Sequence, residues 1–177
     1  MGTINLVLFE PEIPQNTGNI MRTCIATNTV LHLIEPLGFS LDSKHVKRSG
    51  VNYHLNNELT YYVYKNIDEF FEKNPNGKFY FLTRYGHKGL YDVDTSDLNQ
   101  DYYFILGKES TGIPYEILKA NLDKCIRLPM TNKTRSLNLS NCAAIIVYEA
   151  LRQQGFPGLE TEEPEIFKGK NFLTKDS

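Results

Sequence analysis

The chain has no tryptophan, and only three cysteines and four histidines in 177 residues. Cys24, Cys125 and Cys142 form an odd, scattered set, and no C-x-x-C occurs. These features exclude a disulfide-stapled scaffold and the ligand spacing of a zinc site, so no metal is expected. No apolar run is long enough to cross a bilayer, so no membrane partner is expected. The start, Met1 to Leu6, has no basic region and enters a strand pattern directly. No secretory leader is therefore expected, and a reducing cytoplasm is the expected compartment. An excess of positive charge is missing too: 19 Lys and Arg stand against 21 Asp and Glu, a net charge of −2. That argues against wholesale coating of nucleic acid and leaves room for a local basic face. Internal repeats, low-complexity segments and interdomain linkers are all absent.

What is present is a globular composition, 41% hydrophobic and 23% charged, long enough for one domain with a substantial core. Ile4 to Phe9 is apolar apart from Asn5, as in a strand buried on both faces. Thr17 can cap a helix running to about Asn28, with Ile20, Met21, Cys24 and Ile25 as its apolar stripe. Val30 to Ile34, Leu59 to Tyr64, Phe79 to Thr83, Tyr102 to Leu106 and Cys125 to Leu128 read as further strands. Helices are expected over Ile67 to Glu72, with Phe70 and Phe71 inward, from Pro114 to about Ala120, and over Ser140 to Gln154. This alternation predicts an α/β fold with a mainly parallel sheet. Gly155-Phe156-Pro157-Gly158 stops the last helix. The aperiodic acidic stretch beyond it reads as a tail, giving a domain over 1–158 and a polar tail over 159–177.

Three polar clusters sit where α/β proteins bind ligands. Pro14-Gln15-Asn16-Thr17-Gly18-Asn19, with Arg22 one turn on, reads either as a capped turn or as a ligand loop. Gly107-Lys108-Glu109-Ser110-Thr111-Gly112-Ile113-Pro114 follows a buried strand, and its two glycines allow close backbone approach to a ligand. It matches neither the phosphate-loop nor the dinucleotide-binding glycine spacing, which ranks an NAD-dependent Rossmann oxidoreductase low. Arg135-Ser136-Leu137-Asn138-Leu139-Ser140-Asn141 opens the most apolar helix. Its Ser136, Asn138, Ser140 and Asn141 exceed the single N-cap that a helix needs.

Elsewhere, Lys44, His45, Lys47 and Arg48 form a basic run that reads as a solvated face or as phosphate contacts. Tyr61, Tyr62 and Tyr64 read as strand residues or as stacking surfaces. Cys24 and Cys142 fall in apolar stripes as core thiols. His32, His54 and His87 carry no pattern that supports catalysis.

Taken in this order, the three clusters resemble the three sequence motifs of the SPOUT (TrmH-like) RNA 2′-O-methyltransferases. More closely, the chain resembles the small tRNA (cytidine/uridine-34) 2′-O-methyltransferases, the TrmL- or YibK-like group. The first motif resembles Pro14 to Arg22, the second Ile105 to Pro114, and the third Leu128-Pro129-Met130 with Arg135 to Asn141. The likeness extends from Leu6 to about Gly158. It implies a SPOUT-type sheet flanked by helices, with the C-terminal segment threaded as a deep trefoil knot. It also implies a homodimer and S-adenosyl-L-methionine (AdoMet) as methyl donor. By position, Leu82, Gly107, Leu128 and Ser136 would line the donor pocket.

The resemblance places Arg22, Asn16, Glu109 and Asn138 at the reacting ribose, beside Ser136. Arginine keeps its proton, so phosphate binding and stabilisation of the developing alkoxide are the easier roles for Arg22. Glu109 could orient Arg22 or accept a proton, and the two asparagines could fix the ribose. The tRNA anticodon stem-loop would be gripped by Lys44, Lys47 and Arg48. Tyr148 reads as a further RNA contact or as a core aromatic. Likeness across Lys44 to His54 and the absence of room for an extra RNA-binding domain favour the wobble nucleotide. Another tRNA or rRNA nucleotide, or a non-catalytic RNA-binding module, stays as the alternative.

Overall fold

The computed structural model describes residues 1–41 and 58–174. The basic run Lys44, His45, Lys47 and Arg48, and the stretch to His54, lie outside the described residues.

The strands are β1 (Ile4–Phe9), β2 (Val30–Ile34), β3 (Tyr61–Tyr64), β4 (Lys78–Leu82), β5 (Lys88–Gly89), β6 (Tyr102–Leu106) and β7 (Cys125–Arg127). They form one sheet in the order β3-β2-β1-β6-β4-β7-β5, with every pairing parallel. The helices are α1 (Pro14–Thr27), α2 (Ile67–Lys73), α3 (Tyr115–Ala120) and α4 (Leu139–Gln154). The short β5 and the 3-10 turn Leu90–Asp92 have no counterpart in the sequence reading. Two residues are too few for a periodic signal.

The period of two along each strand divides the core into two layers. Leu6 and Leu8 of β1 and Phe104 and Leu106 of β6 face one layer, with Ile20, Met21 and Cys24 of α1 and Ala143, Ile146 and Val147 of α4. Val7, Phe9, Ile105 and Phe81 face the other, with Phe70 of α2 and Leu118 of α3. All six residues of β1 are buried. A fully buried Leu, Ile or Phe contributes about 1.5–3 kcal/mol, so both layers are needed to hold the central strands. Phe70 is inward as expected, and Phe71 packs on the same layer while partly exposed. Cys24 and Cys142 are buried core thiols, and burial pushes the Cys24 thiol up to about 12.

Parallel strands place all their carboxyl ends on one edge. β1 leads away to β2 on one side, while β6 on its other side comes from the opposite half of the sheet. The crevice opens where these connections diverge, between the β1 and β6 ends. β7 lies between β4 and β5, which precede it and follow one another in the chain. Beyond it, α4 is tied to the segment between β5 and β6. Thr95 N–H donates to Gln153 Oε1 at 2.7 Å, and the Gln153 and Gln154 amides donate to Val93 O and Thr95 O at 2.9 Å each.

α1 departs from expectation at its start. It begins at Pro14, three residues before Thr17, and its N-cap residue Ile13 has no side chain that can cap. Thr17 lies inside the helix with its hydroxyl buried and without a partner. α4 ends as expected, on Gly155 in the left-handed region (φ 75°), where a glycine avoids the Cβ penalty. Past it, Phe156 and Leu159 pack on the core, while Ile166, Phe167 and Leu173 are exposed.

Candidate active site

The cap missing from α1 is supplied by another loop. Glu12 N–H donates to Glu109 Oε2 at 2.9 Å, and Ile13 N–H to Glu109 Oε1 at 3.3 Å. A carboxylate at a helix N-terminus also meets the positive end of the helix dipole. The same Glu109 accepts a bond from Asn16 Nδ2 at 3.0 Å.

That bond fixes the polarity of everything beyond it. An ionised carboxylate only accepts, so Asn16 must present its amide N–H there. Asn16 Oδ1 then accepts from Asn138 Nδ2 at 3.0 Å. Asn138 Oδ1 is left facing α4, where it accepts from Ser140 N–H at 2.9 Å, Ser140 Oγ–H at 2.6 Å and Asn141 N–H at 3.4 Å. One hydrogen-bonded line, Glu109–Asn16–Asn138, thus joins all three polar clusters. Asn138 is itself the N-cap of α4. This corrects the sequence reading, which counted it as surplus to capping. Its amide does both jobs, one with each end.

Further carboxylates clasp the β1 and β6 loops together. Ser110 N–H and Oγ–H donate to Glu12 at 2.9 and 2.8 Å, and these bonds hold the Glu12 carboxyl below its ordinary range. Lys108 pairs with Glu10 at 2.6 Å. Glu10 has φ 47°, uncommon for a residue with a side chain, and its N–H is held by Ile34 O at 3.0 Å. The glycines of the β6 loop serve the loop itself. Gly112 N–H donates to Lys108 O at 2.8 Å, and a Cβ on Gly107 would collide with the Gly112 backbone. Close approach is required here, but by the loop's own chain.

A cavity of about 730 Å³ opens beside this line, within the usual size of a small-molecule site. Leu82, Gly107, Leu128 and Ser136 line it, as do Asn16, Glu109 and Asn138. Arg22 and Tyr148 do not. Arg22 is exposed on α1, and its side chain makes no hydrogen bond or ion pair among the described residues. Tyr148 is about half exposed on α4 and is not a core aromatic. Lys44, Lys47 and Arg48 lie outside the described residues. The sequence reading missed Arg84, Tyr85, Tyr115 and Arg127, which also line the cavity. A usable signal was there for two of them, since Arg84 and Tyr85 directly follow the strand expected over Phe79 to Thr83, at a carboxyl end of the sheet. No group of histidines, cysteines or acids suited to a metal ion occurs among the described residues. No helix among them is long and apolar enough to cross a membrane.

The model of the SpoU rRNA methylase family matches residues 3–148. The chain belongs to this family. A relative from Listeria innocua is 55% identical over 167 residues, 93% of this chain and 98% of its own. An Escherichia coli relative, the tRNA (cytidine(34)-2′-O)-methyltransferase, is 41% identical over 156 residues, 88% of this chain and 96% of its own. A solved structure concerned with 2-OH methylation of C/U34 on tRNA is 35% identical, covers 87% of this chain and 97% of that one, and has a TM-score of 0.78. This SpoU family member shares with that structure the α/β architecture of a parallel sheet flanked by helices.

Proposed function

We propose that this SpoU methylase uses AdoMet to methylate the 2′-hydroxyl of the wobble nucleotide, cytidine or uridine 34, in the anticodon stem-loop of tRNA. The observation that carries this reading is the Glu109–Asn16–Asn138 line on the wall of the 730 Å³ cavity. It unites the residues expected at the ribose with those expected at the donor. The close relatives' assignment to cytidine 34 supports the position.

The residues present fit the donor. Leu82 and Leu128 offer apolar wall for a flat ring, and Gly107 and Ser136 offer backbone and hydroxyl groups for polar ends. When bound there, AdoMet would supply an electrophilic sulfonium methyl for displacement. Much of the remaining work is positioning. Asn16 and Asn138 each keep one amide N–H beyond the bonds above, and these donors hold the ribose. Glu109 receives three N–H donors and is a positioning group: it sets the amide polarity of both asparagines. Arg22, whose side chain has no partner among the described residues, takes the RNA phosphate beside the reacting ribose and stabilises alkoxide charge.

The same reading includes a homodimer, a cytoplasmic location and a catalytic unit over 1–158. It also includes a threaded C-terminal segment; the insertion of β7 between β4 and β5, with α4 bonded to residues 93–95, supports the threading. The test is incubation with methyl-labelled AdoMet and tRNA from a strain lacking the protein. Label at the ribose of nucleotide 34 is the expected result. Label at another nucleotide moves the substrate. No label despite measurable donor binding replaces the enzyme with a silent RNA binder.

A further inference from the structure

We infer that Arg84, Tyr85, Tyr115 and Arg127 form an RNA-contact site at the cavity mouth, gripping the phosphodiester and one unpaired base next to the target nucleotide. The inference rests on the tRNA reading above and adds to it residues that the sequence does not mark for RNA.

The four residues come from three separate carboxyl-end positions: the turn after β4, the start of α3, and the end of β7. They are built into one unit. Arg84 Nη2 donates to the Tyr85 hydroxyl at 2.6 Å, with its guanidinium carbon 4.8 Å from the Tyr85 ring centre. The Tyr85 and Tyr115 hydroxyls are 3.2 Å apart, and their rings meet edge to face at 5.7 Å. Arg127 Nη1 donates to Arg84 O at 2.5 Å and pins the turn. Burial does not account for this order, because Tyr85 is 44% and Tyr115 56% exposed. Two large aromatics held in place at a cavity mouth are a preformed stacking surface.

Charge decides what sort of ligand suits it. Neither Arg84 nor Arg127 has a carboxylate partner among the described residues. Glu109, the one carboxylate lining the cavity among the described residues, already receives three N–H donors. Arg135, without a salt-bridge partner among the described residues, lines the same cavity and adds to its positive charge. AdoMet carries one carboxylate against a sulfonium and an ammonium, so it can engage at most one of these guanidiniums and repels the rest. A phosphodiester gains charge-assisted, bidentate hydrogen bonds from the same groups. An unpaired base beside it can stack on a tyrosine ring.

The test uses the full chain and a fluorescent anticodon stem-loop titrated over a salt series, with AdoMet binding followed by calorimetry. The variants are Arg84→Gln with Arg127→Gln, the corresponding double Lys variant, and Tyr115→Ala. The Gln pair should weaken RNA binding by about tenfold or more, and lower the steepness of log affinity against log salt by about 1.4, two single-strand phosphates. The Lys pair should keep the wild-type steepness. Tyr115→Ala should weaken binding by about tenfold with the steepness unchanged. AdoMet affinity should stay within about twofold throughout. Unchanged RNA affinity and steepness in the Gln pair would overturn the inference, as would loss of AdoMet affinity with RNA binding intact. If the Gln pair fails to fold, the Lys pair and Tyr115→Ala decide by the same readouts. Wild type that methylates tRNA while the rim variants bind RNA normally removes this inference alone. Wild type that neither binds nor methylates tRNA removes the functional reading itself.

Discussion

Two polar networks in this protein invite comparison. One lies under the β3–β2–β1 side of the sheet: Tyr64 hydroxyl to His32 Nδ1 at 2.8 Å, His32 Nε2 to Asn5 Oδ1 at 3.0 Å, and Asn5 Nδ2 on to Thr3 and Tyr102 O. The Asn5 amide donates to carbonyls, so its oxygen accepts. His32 therefore carries its proton on Nε2 and accepts from Tyr64. Rings of Tyr62, Tyr64, Phe70 and Tyr103 surround it. The other network is Glu109–Asn16–Asn138. The first is closed, with both imidazole nitrogens used and His32 2% exposed. The second ends at a cavity with amide protons to spare. Buried polar groups stabilise a fold when every one is partnered. A site keeps partnering capacity in reserve and turns it toward a ligand.

Changes to the two networks should therefore fail differently. The largest effect is expected outside both networks, from Arg22→Ala: methylation falls below detection while calorimetry shows AdoMet binding nearly intact. Loss of donor binding instead would put Arg22 in the donor pocket. Next comes Glu109→Gln, which replaces an acceptor by an amide that can reverse the polarity of Asn16 and Asn138. A fall in kcat of about 100-fold, the cost typical of losing a positioned donor, with little change in AdoMet affinity, is the expected split. Equal damage to AdoMet affinity would show that Glu109 shapes the cavity rather than the ribose side.

The closed network should be silent in kinetics and visible in stability. Burial pushes the His32 pKa down to about 4, below the ordinary value near 6.5. The unfolded chain then binds the extra proton first as pH falls. Stability from this group is fully present above about pH 6.5 and declines toward pH 4, by about 3 kcal/mol in all. Urea unfolding across that range should show the loss, and His32→Phe should flatten it. A wild-type curve that already matches the variant would place His32 in contact with water. The smallest effect belongs to Thr17→Val. The buried hydroxyl without a partner is replaced by a methyl of the same shape, so stability should rise by about 1 kcal/mol. A fall would mean that the hydroxyl has a partner in solution.

Much of this was legible in the chain. β1 and β6 were readable as buried strands because apolar residues run through them without a polar face; Phe79 to Thr83 reads the same way, yet in β4 only Phe81 is buried. α4 announced itself through its apolar stripe and Gly155. The three polar clusters could be picked out, and their likeness to known motifs joined them before any contact was seen. The start of α1 was misread because Thr17 is a good cap by residue type, whereas the true cap is Glu109, ninety-six residues from Ile13 in sequence. No local rule reaches that far. Asn138 was misjudged for a related reason: one amide can serve a helix and a remote asparagine at once. His32 showed no catalytic pattern, and the structure gives it a structural role.

By itself, the sequence determined the alternation of buried strands and helices, the two faces of each central strand, and the residue types available at the strand ends. Those follow from periodicity and burial, which act over a few residues. Only the tertiary structure decided which carboxylate caps which helix, which way each asparagine points, and that Arg84, Tyr85, Tyr115 and Arg127 share one cavity mouth. These depend on strand order, because a parallel sheet gathers its carboxyl ends on one edge wherever they fall in the chain.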